Sequence, residues 1–364
     1  MRILFFALMA FIAMSSVKAV QDCSIVEFPR LRGERDDAPR FQRAVDACRG
    51  GGVLSVPSGN YTFAKTLFVT NLCSVELSAG ARIKAVAEME WMVCINQMWQ
   101  YKPETAPADV NPEIYNLSWR GGTLDADGKA SCMSIDNYRH FTVENTTFLN
   151  GRKYGLGIET TGRGYEMVAK NLYFKTLISG LAGNTGLYSR SGDSHYTDII
   201  VVDYTTGVHF AGNGANWLTR IHVWGGLVGF PAKDGGLPEM LKNSVCFKID
   251  AASIFLESCY ADTGATCFWI NGWECRMNGC YSYNNPYFKL DDVVTIRQDK
   301  GSLWCDNCQF NRESPGTKLY MGGPDAKIAW GANNIYRYFW KEPSRKVPPS
   351  IQPVVWAGDG GVVR

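Results

Sequence analysis

The sequence lacks an excess of charge of either sign. Its 37 Lys and Arg residues nearly balance 35 Asp and Glu residues, which leaves a net charge of +2. It also has no run of five or more basic residues and no low-complexity tract. Proteins that bind nucleic acid carry a basic surface patch, so this composition argues against a nucleic-acid partner.

Long hydrophobic runs are absent beyond the N-terminus. The first 19 residues combine Met1-Arg2, the apolar run ILFFALMAFIAM and small residues ending at Ala19, which is typical of a secretion signal. The apolar run is shorter than the roughly 20 residues that a membrane anchor requires. We therefore expect a signal peptide over 1–19, a secreted or periplasmic protein, and no membrane contact after cleavage.

The sequence also lacks a matched pair of metal-binding cysteine motifs. Cys305 and Cys308 form the one CxxC motif, and the spacing of Cys275 and Cys280 does not complete a zinc site. All 12 cysteines follow the signal peptide. Export permits disulfides among them, although a chain of this size does not require disulfides for stability. We expect no metal and no cofactor.

Helical periodicity is confined to one stretch near the N-terminus. Asp36, Asp37 and Pro39 are typical of a helix start, apolar residues with helical spacing follow up to Cys48, and the glycines at 50–52 end the helix. The stretch predicts one amphipathic helix, whose apolar face would cover the first coil of the strands that follow.

Short apolar strands with polar corners repeat along the rest of the chain. Cys259 and Cys280 are 21 residues apart, and Cys280 and Cys308 are 28 apart. A period in the twenties without intervening helices favours a β-solenoid over a sandwich. It predicts an inward stack of these three cysteines, a solenoid with its N-terminal cap over 20–342, and an irregular tail over 343–364. Similar units lie at 140–151, 166–180, 196–207, 218–226, 254–264, 274–284 and 303–311.

The opening of the predicted solenoid resembles a known superfamily. The stretches DDAPRFQRAVDACRGGGVLSVPSGNYTF, LSAGARIKA and GGTLDADG are similar to the start of pectate-lyase-like proteins. This resemblance implies an all-β, single-stranded right-handed parallel β-helix capped by an N-terminal amphipathic α-helix. The superfamily includes hydrolases, lyases, epimerases and phage tail proteins, so the resemblance is less specific for activity. Such proteins often form trimers, which makes a homotrimer an expectation.

The catalytic acids of the polygalacturonase branch are missing. At the three motif positions that the resemblance implies, this chain has Asn184-Thr185-Gly186, Thr205-Thr206-Gly207 and Trp224-Gly225-Gly226. The polygalacturonase machinery therefore does not transfer to this sequence.

A polar region over 189–226 provides another set of proton carriers. If alternate residues of each strand face outward, its acids and imidazoles would lie along a groove that holds a sugar chain. The favoured hypothesis is a glycoside hydrolase acting on a polysaccharide or oligosaccharide. Its predicted catalytic residues are Asp193, Asp198, Asp203, His209 and His222, and its predicted substrate-binding residues are His195, Arg220, Trp224, Tyr260, Tyr281 and Tyr283.

Two alternative functions remain open. The residues also allow a polysaccharide lyase acting on a uronic-acid polymer, although no tight acidic cluster marks a calcium site. The missing polygalacturonase acids equally allow a non-catalytic glycan-binding or structural protein. Under that alternative the three aspartates mark coil corners and the histidines are structural.

Overall fold

The computed structural model describes residues 20–48, 51–69, 73–96, 114–158, 164–178, 183–212, 214–225, 239–285, 293–312, 317–331, 333–338, 355–356 and 362–363. The predicted signal peptide lies outside these residues. A 3-10 turn at Ile25–Glu27 and two helices, α1 (Ala38–Ala47) and α2 (Glu239–Lys242), accompany the strands. The strands of the N-terminal half are β1 (Cys23–Ser24), β2 (Gly52–Val56), β3 (Gly59–Phe63), β4 (Leu67–Val69), β5 (Cys73–Leu77), β6 (Ala81–Ala85), β7 (Trp91–Ile95), β8 (Ile114–Tyr115), β9 (Ser118–Arg120), β10 (Thr123–Asp125), β11 (Ser131–Ile135), β12 (Tyr138–Arg139), β13 (Thr142–Glu144), β14 (Thr147–Leu149), β15 (Tyr154–Ile158), β16 (Gly164–Tyr165) and β17 (Val168–Lys175).

The strands of the C-terminal half continue the same arrangement. They are β18 (Thr185–Ser189), β19 (Ser194–Val202), β20 (Thr206–Phe210), β21 (Ala215–Trp224), β22 (Val245–Ile249), β23 (Ser253–Glu257), β24 (Tyr260–Asp262), β25 (Thr266–Ile270), β26 (Glu274–Asn278), β27 (Tyr281–Tyr283), β28 (Val294–Asp306), β29 (Gln309–Arg312), β30 (Lys318–Trp330), β31 (Ile335–Tyr338), β32 (Val355–Trp356) and β33 (Val362–Val363).

The strands stack into three parallel ladders, one for each face of a continuous coil. The first ladder begins with β1, β2 and β5, the second with β3 and β6, and the third with β4 and β7. Each coil contributes one rung to each ladder, and 28 strands join in this way. Long strands such as β19 and β21 turn a corner and belong to the first and second ladders together. The architecture is a parallel β-helix, as the sequence repeat predicts.

One corner residue per coil explains how the chain turns from the first ladder to the second. Successive coils place a residue with a left-handed backbone there, with φ of 56° at Asn145, 52° at Asn171, 55° at Asp198 and 53° at Arg220. Asn and Asp tolerate this conformation better than most residues because their short side chains bond locally. The Asn171 amide donates to Asn145 Oδ1 at 2.7 Å, which links neighbouring coils.

The interior is filled by like residues stacked over like residues. Phe148 and Phe174 pair across neighbouring coils with ring centroids 4.8 Å apart, and Phe247 and Phe268 do so at 5.0 Å. Cys259, Cys280 and Cys308 are all buried. Tyr281 N donates to Cys259 O and Gln309 N to Cys280 O, so the three cysteines follow one another in consecutive coils. This is the predicted cysteine stack, and all 12 cysteines of the chain are free thiols.

Helix α1 packs beside the first coil. Its apolar residues Phe41, Ala44 and Val45 are buried, and the Phe41 ring contacts Tyr61 and Phe63 edge-on. The Gln42 side chain also bonds both backbone groups of Phe68 in β4. The helix therefore contacts two strands of the first coil.

Two small sheets lie apart from the ladders. Strands β8, β12 and β16 pair in parallel, and β32 pairs with β33 in an antiparallel arrangement. The latter pair falls within the predicted irregular tail, most of which lies outside the described residues. Among the described residues, no helix is long and apolar enough to cross a bilayer.

Candidate functional site

The third ladder carries a row of large polar and aromatic side chains on its outer side. Its strands bury alternate residues, such as Val208 and Phe210 around His209, so the intervening side chains face outward. The register aligns consecutive outward residues from β18 to β28. This outward row comprises Tyr188, His209, Lys248, Trp269 and Arg297.

A histidine–aspartate pair lies in the middle of this row. His209 Nε2 is 2.7 Å from Asp250 Oδ2, and the Asn271 amide donates to Asp250 Oδ1 at 3.0 Å. Lys248 Nζ is 3.6 Å from Asp250 Oδ2. Burial alone would raise the pKa of Asp250, but the hydrogen bonds from His209 and Asn271 and the Lys248 charge outweigh it and lower the pKa to about 2. Asp250 is therefore ionised at every pH at which the protein is expected to work.

A second carboxylate lies further along the same edge. Asp299 accepts hydrogen bonds from the Trp269 indole at 2.8 Å and from Arg297 Nε at 2.9 Å. Asp250, Asn271 and Asp299 each follow directly after a third-ladder strand residue that is aligned with the others. Asp250 and Asp299 are thus two coils apart, or roughly 10 Å along the backbone stack. Two ionisable carboxyl groups therefore line one edge of the face.

Aromatic rings on the outer faces are mostly covered by one another. Tyr188 packs between Tyr154 at 5.2 Å and His209 at 5.1 Å. Both Lys248 and Arg297 lie against the Trp269 ring, at 5.1 and 4.1 Å from its centroid. These rings stabilise the stacking of coils, and they present edges and polar tips to solvent rather than open ring faces.

The residues predicted to form the site are spread over all three ladders and the corners between them. His195 lies on the first ladder and His209 on the third. The predicted single groove is therefore not formed, because alternation along one strand does not tell which of three faces the strand belongs to. The catalytic and binding roles assigned to these residues stay predictions. On the second ladder lie His222, Trp224, Tyr260, Tyr281 and Tyr283, and at the corners lie Asp193, Asp198, Asp203 and Arg220.

The three predicted catalytic aspartates are corner residues with left-handed backbones. Asp198 forms a two-point ion pair with Arg220, at 2.7 and 2.9 Å, and these hydrogen bonds lower the pKa of Asp198. Asp193 accepts a hydrogen bond from Ala215 N at 3.3 Å. Asp203 is only 1% exposed, so its burial argues against contact with a polymer. These placements fit the alternative explanation from the sequence, in which the aspartates mark coil corners.

A second histidine–aspartate cluster lies on the second ladder. The His222 ring stacks on Tyr260 with centroids 4.3 Å apart, but His222 Nε2 is 3.8 Å from Asp262 Oδ2. The Tyr260 hydroxyl donates to that same Asp262 oxygen at 2.9 Å. Burial and the nearby Asp262 raise the pKa of Tyr260. In this cluster, the carboxylate is hydrogen-bonded to a tyrosine rather than to a histidine.

Two glycines at the positions that lack polygalacturonase acids have no room for a side chain. A Cβ on Gly186 would lie 2.4 Å from Val201 Cγ1 and 2.8 Å from Gly207 O. A Cβ on Gly207 would lie 2.2 Å from Val223 Cγ1. Any side chain at these two glycines would require the coils to shift, since Cβ atoms do not approach other heavy atoms this closely. At these two positions, the packing of neighbouring coils therefore requires glycine.

The sequence interpretation missed most of the third-ladder face. Asp250, Asn271, Asp299, Lys248 and Arg297 were not predicted, although a signal was present. The segments CFKID (246–250) and CFWIN (267–271) are 21 residues apart and share their pattern, so aligning them would have revealed one strand in consecutive coils. Among the described residues, no group of three or more His, Cys, Asp or Glu side chains is arranged to hold a metal ion.

Comparison with known proteins identifies the fold. No family model matches the chain, and no curated protein matches it. Solved structures do match: ORF18 of Geobacillus virus E2 has a TM-score of 0.63 at 12% identity, over 88% of this chain and 62% of that chain. Endo-xylogalacturonan hydrolase from Aspergillus tubingensis has a TM-score of 0.62 at 13% identity, over 88% of this chain and 93% of that chain.

A phage protein extends the same comparison. The enzymatically active domain of tailspike protein 2 from bacteriophage CBA120 has a TM-score of 0.60 at 10% identity, over 88% of this chain and 47% of that chain. At these identities the similarity shows the fold. The chain therefore has the parallel β-helix fold of polygalacturonase-like proteins, as the sequence resemblance predicts.

Proposed function

We propose that this protein is a glycoside hydrolase that cleaves a polysaccharide on the third-ladder face, with His209 as the residue that transfers the proton. The observation that carries this proposal is the 2.7 Å hydrogen bond between His209 Nε2 and Asp250 Oδ2 on an outward-facing row. Histidine is the most common proton-transfer residue in enzymes because its charge changes near neutral pH.

Asp250 positions His209 and does not itself supply a proton. A carboxyl group with a pKa of about 2 is ionised at neutral pH, so it accepts a hydrogen bond but cannot act as the general acid. As an acceptor it favours the tautomer of His209 with the proton on Nε2. The Nδ1 lone pair is then available to take a proton from the water that attacks the anomeric carbon. The bond from that carbon to the bridging oxygen breaks, and the departing oxygen takes a proton from solvent.

Other groups on the face suit a sugar substrate. Asp299 provides a second carboxylate on the face, two coils beyond Asp250. Lys248, Asn271 and Arg297 add hydrogen-bond donors for sugar hydroxyl groups. The comparisons support this proposal, since one neighbour is an endo-xylogalacturonan hydrolase and another is an enzymatically active tailspike domain.

The test is a reducing-end assay with the mature protein over xylan, mannan, β-glucan, polygalacturonate and alginate. We expect reducing ends to appear with at least one polymer, without ultraviolet-absorbing products. Unsaturated products would select the lyase alternative. Binding without any released reducing ends would select the non-catalytic alternative. If the protein neither binds nor cleaves any of these polymers, the hydrolase proposal and the glycan-binding alternative are both refuted.

The remaining expectations concern the whole protein. We propose that residues 1–19 direct export, that the mature chain forms a homotrimer, and that helix α1 protects the open first coil. N-terminal sequencing of the exported protein tests the first proposal, and light scattering tests the second.

For the third proposal, Phe41→Ala should cost about 3–5 kcal/mol of unfolding free energy, because this buried ring packs against Tyr61 and Phe63.

A further inference from the structure

One large aromatic residue has no place in the stacked rows. Trp273 is 81% exposed, more than any other large hydrophobic residue among those described. It lies in the turn between β25 of the third ladder and β26 of the first. A single exposed apolar residue is common on protein surfaces, so its significance depends on its surroundings.

The turn that carries Trp273 is rigid. Ser302 N donates to Trp273 O at 3.0 Å, and Glu274 N donates to Ala252 O at 2.8 Å, so this turn is bonded to the coils on both sides. Gly272 and Gly301 allow close packing: a Cβ on Gly272 would lie 2.0 Å from Ala251 O. The backbone that carries Trp273 is thus ordered by hydrogen bonds, while the indole itself lies in solvent.

The position of Trp273 places it beside the candidate site. Asn271, two residues earlier, donates to Asp250 Oδ1, and Asp250 bonds His209. Two residues of chain span at most about 7 Å. The rings of the outward row are covered by neighbours, whereas the two faces of the Trp273 ring are open to a ligand.

The geometry points to Trp273 as a platform for a sugar ring next to the His209–Asp250 pair. The inference rests on the proposed function, because it assigns a polysaccharide subsite to the same face. The apolar face of a pyranose ring packs on an open indole, and a platform on rigid backbone loses little entropy on binding. The platform would hold the polymer beyond the cleaved bond, so it affects binding more than chemistry.

The experiment measures binding and cleavage separately. Wild type, Trp273→Ala and Trp273→Phe are compared by affinity electrophoresis in gels that contain each of the five polymers. Ile200→Ala is the matched control, since Ile200 is an exposed apolar residue on the second ladder. Repeating the series in His209→Ala prevents loss of polymer during the run.

We expect Trp273→Ala to weaken binding about 5- to 10-fold, a size typical of losing one ring contact. Trp273→Phe should retain most of the binding, and Ile200→Ala all of it. The thermal midpoint of Trp273→Ala should stay within about 2 °C of wild type, because exposed side chains contribute little to stability.

The outcomes separate this inference from the proposed function. Trp273-dependent binding without any cleavage products would uphold the platform and refute hydrolysis. Cleavage with unchanged Kd and KM in Trp273→Ala would uphold hydrolysis and refute the platform. If wild type binds none of the five polymers, the platform is refuted.

Discussion

Two histidine–aspartate pairs face outward on different ladders, and they differ in what the carboxylate binds. On the third ladder, Asp250 Oδ2 accepts a hydrogen bond from His209 at 2.7 Å. On the second ladder, Asp262 Oδ2 accepts one from the Tyr260 hydroxyl at 2.9 Å, and His222 is left at 3.8 Å. The same residue types in the same fold thus form a hydrogen-bonded histidine–aspartate pair on one face and a tyrosine–aspartate pair on the other.

The difference teaches that a neighbouring tyrosine hydroxyl determines whether a histidine can bond its aspartate. His222 lies flat on Tyr260, with an angle of 9° between the ring planes, so its π-face serves packing. His222 Nε2 is buried and makes no hydrogen bond to any residue that the structure describes, because the Tyr260 hydroxyl occupies the nearby Asp262 oxygen. His209 Nε2 is bonded to Asp250, and its ring meets Tyr188 edge-on at 72°.

The largest expected difference is between two separate variants, in which His209 or His222 is replaced by alanine. His209→Ala should lower cleavage at least about 100-fold, the usual contribution of a general acid or base. His222→Ala should lower it less than about 3-fold. Initial rates of reducing-end release on the best polymer measure both. Equal losses in the two variants would contradict the assignment of the site to the third ladder.

Replacing the aspartate of each pair should show the same contrast between the two ladders, with a smaller loss of activity. Asp250→Asn keeps the shape but removes the charge beside His209, and we expect kcat to fall about 10-fold with KM little changed. Asp262→Asn should leave kcat within about 2-fold. The pH–rate profile distinguishes positioning of His209 from a merely structural role, since only Asp250→Asn should change the acid limb of the profile. A uniform fall at all pH values would argue against positioning by Asp250.

Acid stability provides a third contrast. The folded-state pKa of Asp250, about 2, lies below its unfolded value of about 3.9, so its stabilising effect is present above about pH 4 and is lost as the pH falls toward 2. Thermal midpoints of wild type should therefore decline over this range. Asp250→Asn should be less stable at neutral pH and converge with wild type near pH 2. Parallel curves would show that Asp250 is not held in its charged form.

The smallest expected effect is that of Tyr260→Phe. This change removes the hydroxyl that bonds Asp262 Oδ2, while Thr263 still donates to Oδ1, and it should cost about 1 kcal/mol of unfolding free energy. Cleavage should be unaffected. Urea unfolding followed by circular dichroism measures the cost, and Tyr173→Phe, a partly exposed tyrosine on the same ladder, is the matched control. A drop in cleavage would show that the second ladder takes part in catalysis.

Much of the fold was predictable from residue spacing. The spacings of Phe148 and Phe174 and of Cys259, Cys280 and Cys308 predict stacked coils, and the structure stacks those residues. The candidate site was less predictable. His209 was correctly expected to face outward, yet its partner Asp250 is 41 residues away. Only the pairing of β20 with β22 brings the two together.

The sequence by itself determined that this chain forms a coil of short parallel strands, because apolar side chains recurring at one period can be buried only by stacking. It also determined which residues of a strand face outward, through the two-residue alternation. The tertiary structure alone decided which outward residues share a face. Each coil turns through three ladders, and the corner residues, rather than the strand pattern, set the direction in which every strand presents its outer side chains.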